Sequence, residues 1–259
     1  MILYFSATGN SKAVAQLLSE KLHDFSFNIA QNYNNEELIK AVYEEETALG
    51  FVFPVYGWNI PDIIYTFFEK LSGTKINARY TFFVVTCGDD VGMIDKQIIK
   101  LTAKTGLPCN AIFSVTMPNT YVCLPGFDVD NEETVNIKLS NYPERINDIA
   151  NLIKTRKNII LIKRGIFPRI KTYVLGTFFK KILIKDKYFH TNSDCTSCSA
   201  CVKVCPTKNI TIKNNHTVTW NNHCIGCLSC YHHCPVRAIR YGLFTKSKGQ
   251  YLFNKYTKK

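Results

Sequence analysis

Eight of the eleven cysteines in this 259-residue chain lie in one short stretch and form two copies of a single motif. The motif is C-x-x-C-x-x-C-x-x-x-C-P. The first copy runs from Cys195 to Pro206 and the second from Cys224 to Pro235. A repeated spacing of this kind is typical of thiolates that bind metal rather than of disulfide pairs. The two copies therefore strongly limit what this part of the chain can fold around.

The spacing favours two cubic 4Fe-4S clusters, each held by four thiolates. Three cysteines on a tight loop can bind three irons of one cube, while the fourth enters a helix and binds the other cube. We therefore predict that Cys234 completes the first cluster and Cys205 the second. The predicted ligands are Cys195, Cys198, Cys201, Cys205, Cys224, Cys227, Cys230 and Cys234.

Zinc is the competing metal, because paired C-x-x-C knuckles also supply four thiolates to one ion. That arrangement leaves two thiolates of each repeat without a role and does not explain the proline after each fourth cysteine, so iron is favoured. Clusters would also stabilise a segment of about 70 residues, whose own core is small. Two clusters are more than stabilisation requires, and we predict that they transfer single electrons.

Positive charge is concentrated in the second part of the chain. Residues 1–154 contain 12 Lys/Arg and 18 Asp/Glu, whereas residues 155–259 contain 20 Lys/Arg and 2 Asp/Glu. Such a basic region is typical of proteins that bind nucleic acid or an anionic membrane. Clusters held by four thiolates would add negative charge to this region, and we expect no nucleic-acid partner.

The first 156 residues alternate short apolar runs with longer amphipathic stretches. This alternation is typical of βα units that form a doubly wound parallel sheet with helices on both faces. We predict five strands, near residues 1–6, 25–30, 48–55, 79–87 and 109–117. We predict five helices, near residues 10–22, 34–45, 59–71, 91–106 and 132–155.

Three loops follow predicted strands at the edge where doubly wound sheets bind their ligands. The loop from Ser6 to Lys12 opens a helix, where backbone N–H groups and short hydroxyls can hold a phosphate. A plain helix cap is the alternative. The loop lacks the glycine spacing of ATP and dinucleotide sites, so neither ligand is favoured. Residues 54–59 offer Tyr56 and Trp58, which could stack on a planar ring or pack against the next helix, and residues 86–90 could line a ring edge.

Together these loops resemble flavodoxin, whose signature (aromatic)-x-S-x-T-G-N-(S/T) is matched from Tyr4 to Ser11, with the aromatic displaced by one residue. The resemblance covers about residues 1–156 and implies a bound FMN. It implies phosphate contacts from Ser6, Ala7, Thr8, Gly9, Asn10 and Ser11. It implies contacts around the ring from Pro54, Tyr56, Gly57, Trp58 and Asn59, and on its pyrimidine side from Thr86, Cys87, Gly88 and Asp89.

The third loop departs from many flavodoxins, because the stretch from Cys87 to Gly92 contains no aromatic residue. Residues 117–121 follow the last predicted strand and include Asn119 and Tyr121. Either side chain could cover the ring instead, and a plain surface loop is the alternative.

The cysteine-rich segment, residues 187–242, resembles the bacterial 2x 4Fe-4S ferredoxin domain, which implies a small α+β fold. Both regions in this order resemble the flavodoxin-ferredoxin fusion proteins of anaerobic bacteria and archaea. We therefore expect a flavodoxin-like domain over 1–156, a basic connector over 157–186, the ferredoxin domain over 187–242 and a basic C-terminal tail over 243–259.

The connector contains no uncharged run near the roughly 20 residues that span a bilayer, so no transmembrane segment is predicted. We expect Tyr173, Val174, Phe178 and Ile182 to dock it between the two domains. A basic amphipathic helix on a membrane surface is the alternative. The apolar start of the chain lacks a basic region and a cleavage site, which favours a cytoplasmic location. His232 and His233 are expected to be exposed to solvent, and tuning of a nearby cluster is the alternative.

Three functions remain open. The first is an electron-transfer protein that passes electrons between two 4Fe-4S clusters and FMN, to or from a redox partner protein or a small-molecule acceptor. The second is an FMN-dependent oxidoreductase that reduces a small-molecule substrate with electrons delivered through the clusters. The third is a nucleic-acid-binding redox sensor that carries clusters. No Ser/His/Asp set or pair of catalytic carboxylates stands out, and we favour the first function.

Overall fold

The first part of the chain folds around a parallel sheet. The structure, a computed structural model, describes residues 1–32, 36–45, 47–72, 76–180, 185–213 and 217–257. Within these residues the sheet has six strands in the order β2-β1-β3-β4-β5-β6. The strands are β1 Ile2–Tyr4, β2 Ser26–Asn28, β3 Ala48–Pro54, β4 Tyr80–Cys87, β5 Ala111–Thr116 and β6 Ile159–Leu161. The order of the first five is that of the flavodoxin-like doubly wound fold.

The predicted count of five strands is wrong by one, because β6 lies in the predicted connector. It pairs with β5 in parallel, with Ile159 opposite Ala111. The Ile159 N–H donates to the Asn110 carbonyl oxygen at 2.8 Å, and the Lys163 N–H donates to Ser114 Oγ at 2.8 Å. The apolar residues of β6 lie beyond the five predicted βα units, in the segment predicted to connect the two domains, so they were not assigned to the sheet.

Helices cover both faces of the sheet. The helices of this part are α1 Asn10–Leu22, α2 Ile29–Asn32, α3 Glu36–Glu44, α4 Asp62–Lys70, α5 Ile94–Thr105 and α6 Glu132–Lys154. All five predicted helices are present, although the first two residues of the one predicted over 34–45 lie outside the described residues. The α6 helix starts where the Asn131 side chain accepts a hydrogen bond from the Thr134 N–H at 2.8 Å, which is a typical N-cap.

Two apolar cores lie on opposite faces of the sheet, and successive residues of the central strand β4 alternate between them. Phe82 and Val84 pack with α1 and α6 on one face. Phe83 and Val85 pack with α3, α4 and α5 on the other. This burial on both faces fixes the sheet, and it places the carboxyl ends of β1, β3 and β4 at one edge.

The second part is a small α+β unit, as predicted. Its elements are β7 Phe189–Thr191, α8 Ala200–Val204, β8 Ile210–Ile212, β9 Val218–Trp220, α9 Ser229–His233 and β10 Ile239–Tyr241. Strands β7 and β10 pair antiparallel, as do β8 and β9. A separate core of this unit includes three of its cysteines, Cys201, Cys230 and Cys234, together with Cys123 from the first part of the chain.

A helix over residues 168–180 joins the two parts, and we call it the connector helix. It contains a π-helical segment, Ile170–Leu175, followed by α7, Gly176–Phe178. Ion pairs of Lys171 with Asp90 and of Lys180 with Asp62 tie it to the first part. In the described part of the chain, no helix is both long enough and apolar enough to cross a membrane.

The predicted docking face of the connector helix is wrong. Tyr173, Val174 and Phe178 are half-exposed, whereas Thr172, Gly176 and Phe179 are buried. The fourth predicted residue, Ile182, lies outside the described residues. A Cβ atom on Gly176 would lie 2.7 Å from the Gly57 carbonyl oxygen. The inward face of the helix carries a threonine and a glycine because it passes close to the backbone of the first part. A prediction that looks for large apolar residues therefore selects the opposite, exposed face.

The C-terminal segment returns to the first part of the chain. Tyr251 and Leu252 are buried, and α10 Phe253–Tyr256 follows them. The Phe253 N–H donates to the Thr8 carbonyl oxygen at 2.9 Å. The Phe253 ring packs edge-on against Tyr142 of α6 at 6.0 Å between ring centroids. Residues 251–256 are thus packed against the loop that precedes α1.

Replacing Gly176 with alanine is expected to destabilise the protein. Alanine would favour the helix by about 1 kcal/mol, but its Cβ would meet the Gly57 carbonyl oxygen at 2.7 Å, and overpacking of this kind costs about 1–3 kcal/mol. We expect the free energy of unfolding to fall by about 1–2 kcal/mol in urea denaturation followed by circular dichroism. Thr177→Ala, at the exposed neighbouring position, should leave stability unchanged or slightly raised. An equally stable Gly176→Ala protein would contradict the close contact.

Candidate functional site

The eight cysteines of the two motifs surround two small cavities in the second part of the chain. One cavity is lined by Cys195, Cys198, Cys201 and Cys234. The other is lined by Cys205, Cys224, Cys227 and Cys230. Each cavity therefore takes three cysteines from one motif copy and the fourth from the other. In the described part of the chain, no three His, Cys, Asp or Glu side chains are arranged as for one bound metal ion.

The loops around these cavities are shaped to direct N–H groups at sulfur. Ser199 and Leu228, each just before a helix, adopt left-handed backbone conformations with φ of 61° and 56°. N–H groups point at three sulfur atoms: Asn209 at Cys205 Sγ (3.3 Å), Gly226 at Cys224 Sγ (3.4 Å) and Ala238 at Cys234 Sγ (3.2 Å). Hydrogen bonds to sulfur are one of the means by which proteins tune iron–sulfur clusters.

Burial of the cysteines also fits a site that carries a compensating positive ion. Loss of solvent raises the pKa of Cys224 to about 12, and the Gly226 N–H only partly opposes this effect. Burial likewise raises the pKa of Cys227 and Cys230. Thiolates at these positions are unstable near neutral pH unless a metal balances their charge. The donor set and its environment therefore suit iron held by four thiolates.

A pocket of about 670 Å³ lies at the carboxyl ends of β1, β3 and β4. This is the edge at which doubly wound sheets bind ligands, and the volume is that of a small-molecule site. Thirteen of the fifteen residues predicted for FMN line it: Ser6, Ala7, Thr8, Asn10, Ser11, Pro54, Tyr56, Gly57, Trp58, Thr86, Cys87, Gly88 and Asp89.

Gly9 and Asn59 are the two predicted residues that do not line the pocket. Gly9, with a φ of 104°, faces Phe253, and a Cβ atom on it would lie 2.7 Å from the Phe253 Cβ. The Asn59 side chain donates to the Gly57 carbonyl oxygen at 2.8 Å. Both residues support the loops without lining the pocket. The missing side chain of Gly9 leaves room for the C-terminal segment, and Asn59 stabilises the turn at Gly57.

The first loop presents an uncapped helix end to the pocket. No side chain forms a capping hydrogen bond at Gly9, the N-cap of α1, so the predicted alternative of a plain side-chain cap is not what the loop does. Ser11 Oγ and Thr86 Oγ1 lie 2.7 Å apart and link this loop to the third. The Asn10 side chain is already used, since it donates to the Pro118 carbonyl oxygen and accepts from the Tyr251 hydroxyl. Asn10 therefore keeps its backbone N–H and one of its two side-chain N–H groups for a phosphate.

The second loop contributes Tyr56 and Trp58. The Tyr56 hydroxyl is buried without a hydrogen-bond partner among the described residues, and burial raises its pKa well above the ordinary value. The hydroxyl does not open into the pocket, because it is shielded from solvent, and Cys227 and Cys224 lie near enough to raise its pKa further. Trp58 donates from Nε1 to Asp90 Oδ1 at 2.8 Å, and Lys171 Nζ lies 5.8 Å from its ring centre. Trp58 therefore joins the second loop, the third loop and the connector helix.

The third and fourth loops form the opposite wall. Burial raises the pKa of the Cys87 thiol to about 12, so it stays neutral beside the pocket. A Cβ on Gly88 would lie 3.1 Å from the Asn119 side chain, so the two loops touch here. The Tyr121 ring lies 4.9 Å from that of Phe179. Asn119 and Tyr121 both line the pocket, so both lie where a side chain could cover a bound ring.

The pocket also touches the cysteine-rich unit. Cys227 and Leu228 line both the pocket and the cavity formed by Cys205, Cys224 and Cys230. Ser229 Oγ donates to the Ala7 carbonyl oxygen at 3.1 Å, which fixes the start of α9 against the first loop. One cysteine thus separates the pocket from one of the two cavities.

His232 is fully buried, and the prediction that it is exposed is wrong. Its Nε2 lies 2.8 Å from the Thr120 carbonyl oxygen, while its Nδ1 accepts a hydrogen bond from the Tyr251 N–H. Burial lowers its pKa to about 4, so the ring is neutral. The histidine connects α9, the fourth loop and the C-terminal segment, and a motif-based prediction could not foresee packing between such distant segments.

Residues that the sequence interpretation missed close the remaining wall of the pocket. They are Leu124, Phe127, Lys171, Leu175, Phe178 and Phe179. A Cβ on Gly57 would lie 2.5 Å from the Phe179 ring, which covers the second loop. The apolar character of the connector was visible in the sequence, but nothing in the pattern indicated which of its residues face the pocket.

Comparison with known proteins identifies the second part of the chain. Residues 187–235 match the 4Fe-4S dicluster domain family. No protein with curated annotation matches the chain.

Solved structures similar to the chain cover its first part. One is a short-chain flavodoxin associated with a non-canonical PDU bacterial microcompartment, with 20% identity, a TM-score of 0.40, and coverage of 60% of this chain and 97% of that one. The Trp repressor binding protein from Bacillus subtilis has 10% identity and a TM-score of 0.40, with 57% and 96% covered. The NAD(P)H:quinone oxidoreductase from Methanothermobacter marburgensis has 13% identity and a TM-score of 0.36, with 57% and 94% covered.

The strand order of the first part, which rests on the sheet itself, and the family match of the second part lead to one assignment. The chain is a fusion of a flavodoxin-like α/β unit with a 4Fe-4S dicluster domain.

Proposed function

We propose that this chain is an electron-transfer protein that passes electrons between two 4Fe-4S clusters and a bound FMN, to or from a redox partner. The observation that carries the proposal is the shared position of Cys227 and Leu228, which line both the pocket and one of the cysteine cavities. A ligand in the pocket and a cluster in that cavity would be neighbours, separated by a single loop of the chain.

The pocket offers contacts for both the phosphate and the ring of FMN. The uncapped start of α1 offers backbone N–H groups to a phosphate. Tyr56 and Trp58 line the pocket and offer aromatic surfaces to a flat ring. When bound, FMN would exchange one or two electrons and each cluster one, and the protein would supply position and electrostatics.

Residues of the chain itself fix the pocket against the neighbouring cysteine cavity. Ser229 fixes the second cysteine loop to the first pocket loop through its bond to Ala7. Phe179 lies over the Gly57 turn and limits the access of water. Among the described residues, the cavity of Cys195, Cys198, Cys201 and Cys234 shares no lining residue with the pocket, and its Cys198 is exposed. We therefore propose that the cavity of Cys198 is where electrons are exchanged with a redox partner.

A second candidate is an FMN-dependent oxidoreductase that reduces a small molecule. It is favoured by the apolar wall of Leu124, Phe127 and Phe178, which lines the pocket beyond the residues proposed to hold FMN. Apolar walls with few polar groups are typical of small-molecule sites. A substrate of apolar character could occupy this region beside the ring.

The first prediction concerns cofactor content. After strictly anaerobic purification, the chain is expected to contain about eight irons with matching sulfide, together with one FMN. Iron, sulfide, zinc and flavin analysis measures this directly, and a stepwise reductive titration should show flavin and iron–sulfur absorbance changing in the same sample. Iron without flavin, even after FMN is supplied, would contradict the proposal for the pocket, and zinc in place of iron would contradict the proposal for both cavities.

The second prediction concerns the first loop. Thr8 is buried beside the uncapped start of α1 and lines the pocket. Thr8→Glu would place a carboxylate where the phosphate is proposed to bind, so we expect FMN affinity to fall at least about tenfold, since like charges repel at short range. Iron content should remain as in the unmodified protein, because the loop holds none of the cysteines.

The matched control is Thr66→Glu, which introduces the same charge at an exposed position of α4. It should bind FMN like the unmodified protein in a fluorescence titration. If Thr8→Glu also retains FMN with unchanged affinity, the assignment of the first loop to the phosphate is wrong.

A further inference from the structure

The connector helix leaves an apolar face uncovered. Six large apolar residues on it or just before it are each 50–72% exposed: Ile166, Phe167, Ile170, Tyr173, Val174 and Phe178. We call these six residues the connector face. Soluble proteins rarely expose large apolar side chains side by side, and such a patch marks an interaction site.

The opposite side of the same helix accounts for its position. Thr172 Oγ1 accepts a hydrogen bond from the Met93 N–H at 2.8 Å, and Gly176 and Phe179 pack on the second pocket loop. The helix is therefore held firmly by its small, inward residues. The connector face points away from the protein because of this attachment.

The surroundings of the connector face are basic. Residues 155–185 contain nine Lys/Arg and no Asp/Glu. Lys163 and Arg169 are exposed, close in sequence to Ile166 and Phe167. Arg164, Lys171 and Lys180 pair with Asp95, Asp90 and Asp62 of the first part, so the attraction to an anionic partner depends on Lys163 and Arg169. An apolar face flanked by lysine and arginine is typical of helices that lie in a membrane interface.

We propose that the connector face docks this protein on the surface of a membrane that contains anionic lipids. The six apolar side chains would enter the boundary between headgroups and acyl chains, and the basic residues would lie beside the lipid phosphates. No step of this proposal requires a bound flavin or cluster.

Charge argues against a second copy of the chain as the occupant. In a two-fold symmetric contact each connector face would meet its own equivalent. The exposed Lys163 and Arg169 of both copies would then approach each other, and like charges across an interface oppose association. Anionic lipid headgroups supply the opposite charge instead.

The docked orientation also has a geometric consequence for the pocket. Phe178 belongs to the connector face and also lines the pocket. Leu175, one helical turn earlier, lines the pocket as well. A membrane that covers the connector face would therefore lie at one rim of the pocket.

The test is vesicle flotation with the full chain carrying its cofactors. Phosphatidylcholine vesicles are compared with vesicles that contain roughly one-third phosphatidylglycerol, at low and high salt. We expect at least about tenfold more protein on the anionic vesicles, and less at high salt. Failure of the unmodified protein to bind anionic vesicles would overturn the proposal.

The variant Phe167→Ser/Ile170→Ser/Val174→Ser removes apolar area from the connector face without touching the pocket lining. Its binding to anionic vesicles should fall at least about tenfold, because apolar burial anchors such helices. The matched control, Phe25→Ser/Ile137→Ser/Leu243→Ser, alters three residues that are 53–91% exposed elsewhere and should bind normally. Equal loss in the control, or unchanged binding in the connector variant, would overturn the proposal.

Two further measurements separate the alternatives. Lys163→Glu/Arg169→Glu keeps the apolar face and should abolish the preference for anionic over neutral vesicles. Light scattering in the absence of lipid should give the same mass for the unmodified protein and the connector variant. A dimer that becomes a monomer in the variant would instead assign the face to a second copy. Unchanged circular dichroism and iron content show that the variants are folded.

Discussion

The contact between the second cysteine loop and the first loop of the sheet edge holds the two parts of this chain in one arrangement. The loop approaches closely because Gly226 and Leu228 adopt left-handed backbone conformations, with φ of 68° and 56°. The turn brings Cys227 to the pocket wall and leaves Ser229 to bind the Ala7 carbonyl oxygen. His232, which bonds the Thr120 carbonyl oxygen, and Cys123, which packs in the core of the second part, join the same two parts.

Two other segments of the chain pack against this edge of the sheet, and each contacts it at a glycine. The Phe179 ring lies where a side chain on Gly57 would be, and Phe253 lies where a side chain on Gly9 would be. In both cases the missing Cβ, rather than a positive attraction, permits the approach. The pocket is consequently enclosed by parts of the chain that are far apart in sequence, and its shape depends on all of them at once.

Much of the architecture could be predicted from the sequence, because it follows local periodicity and spacing. The short apolar run through Tyr80–Cys87 indicated a buried strand, and the motif spacing indicated which cysteines would group together. What could not be predicted depends on packing between distant segments. The exposed face of the connector helix, the burial of His232 and the contact of Phe253 with Thr8 leave no periodic signal, since each is set by a partner over a hundred residues away or by the backbone.

The return of the C-terminal segment has a consequence for how the protein matures during synthesis. The loop at residues 6–11 leaves the ribosome well before Tyr251 and Phe253, from which it accepts hydrogen bonds. The sheet and its helices can form while the rest of the chain is still being made, but the loop before α1 reaches its final packing only after translation of residue 253. Nascent chains that stall or end early would thus present a folded sheet with an incompletely supported ligand edge.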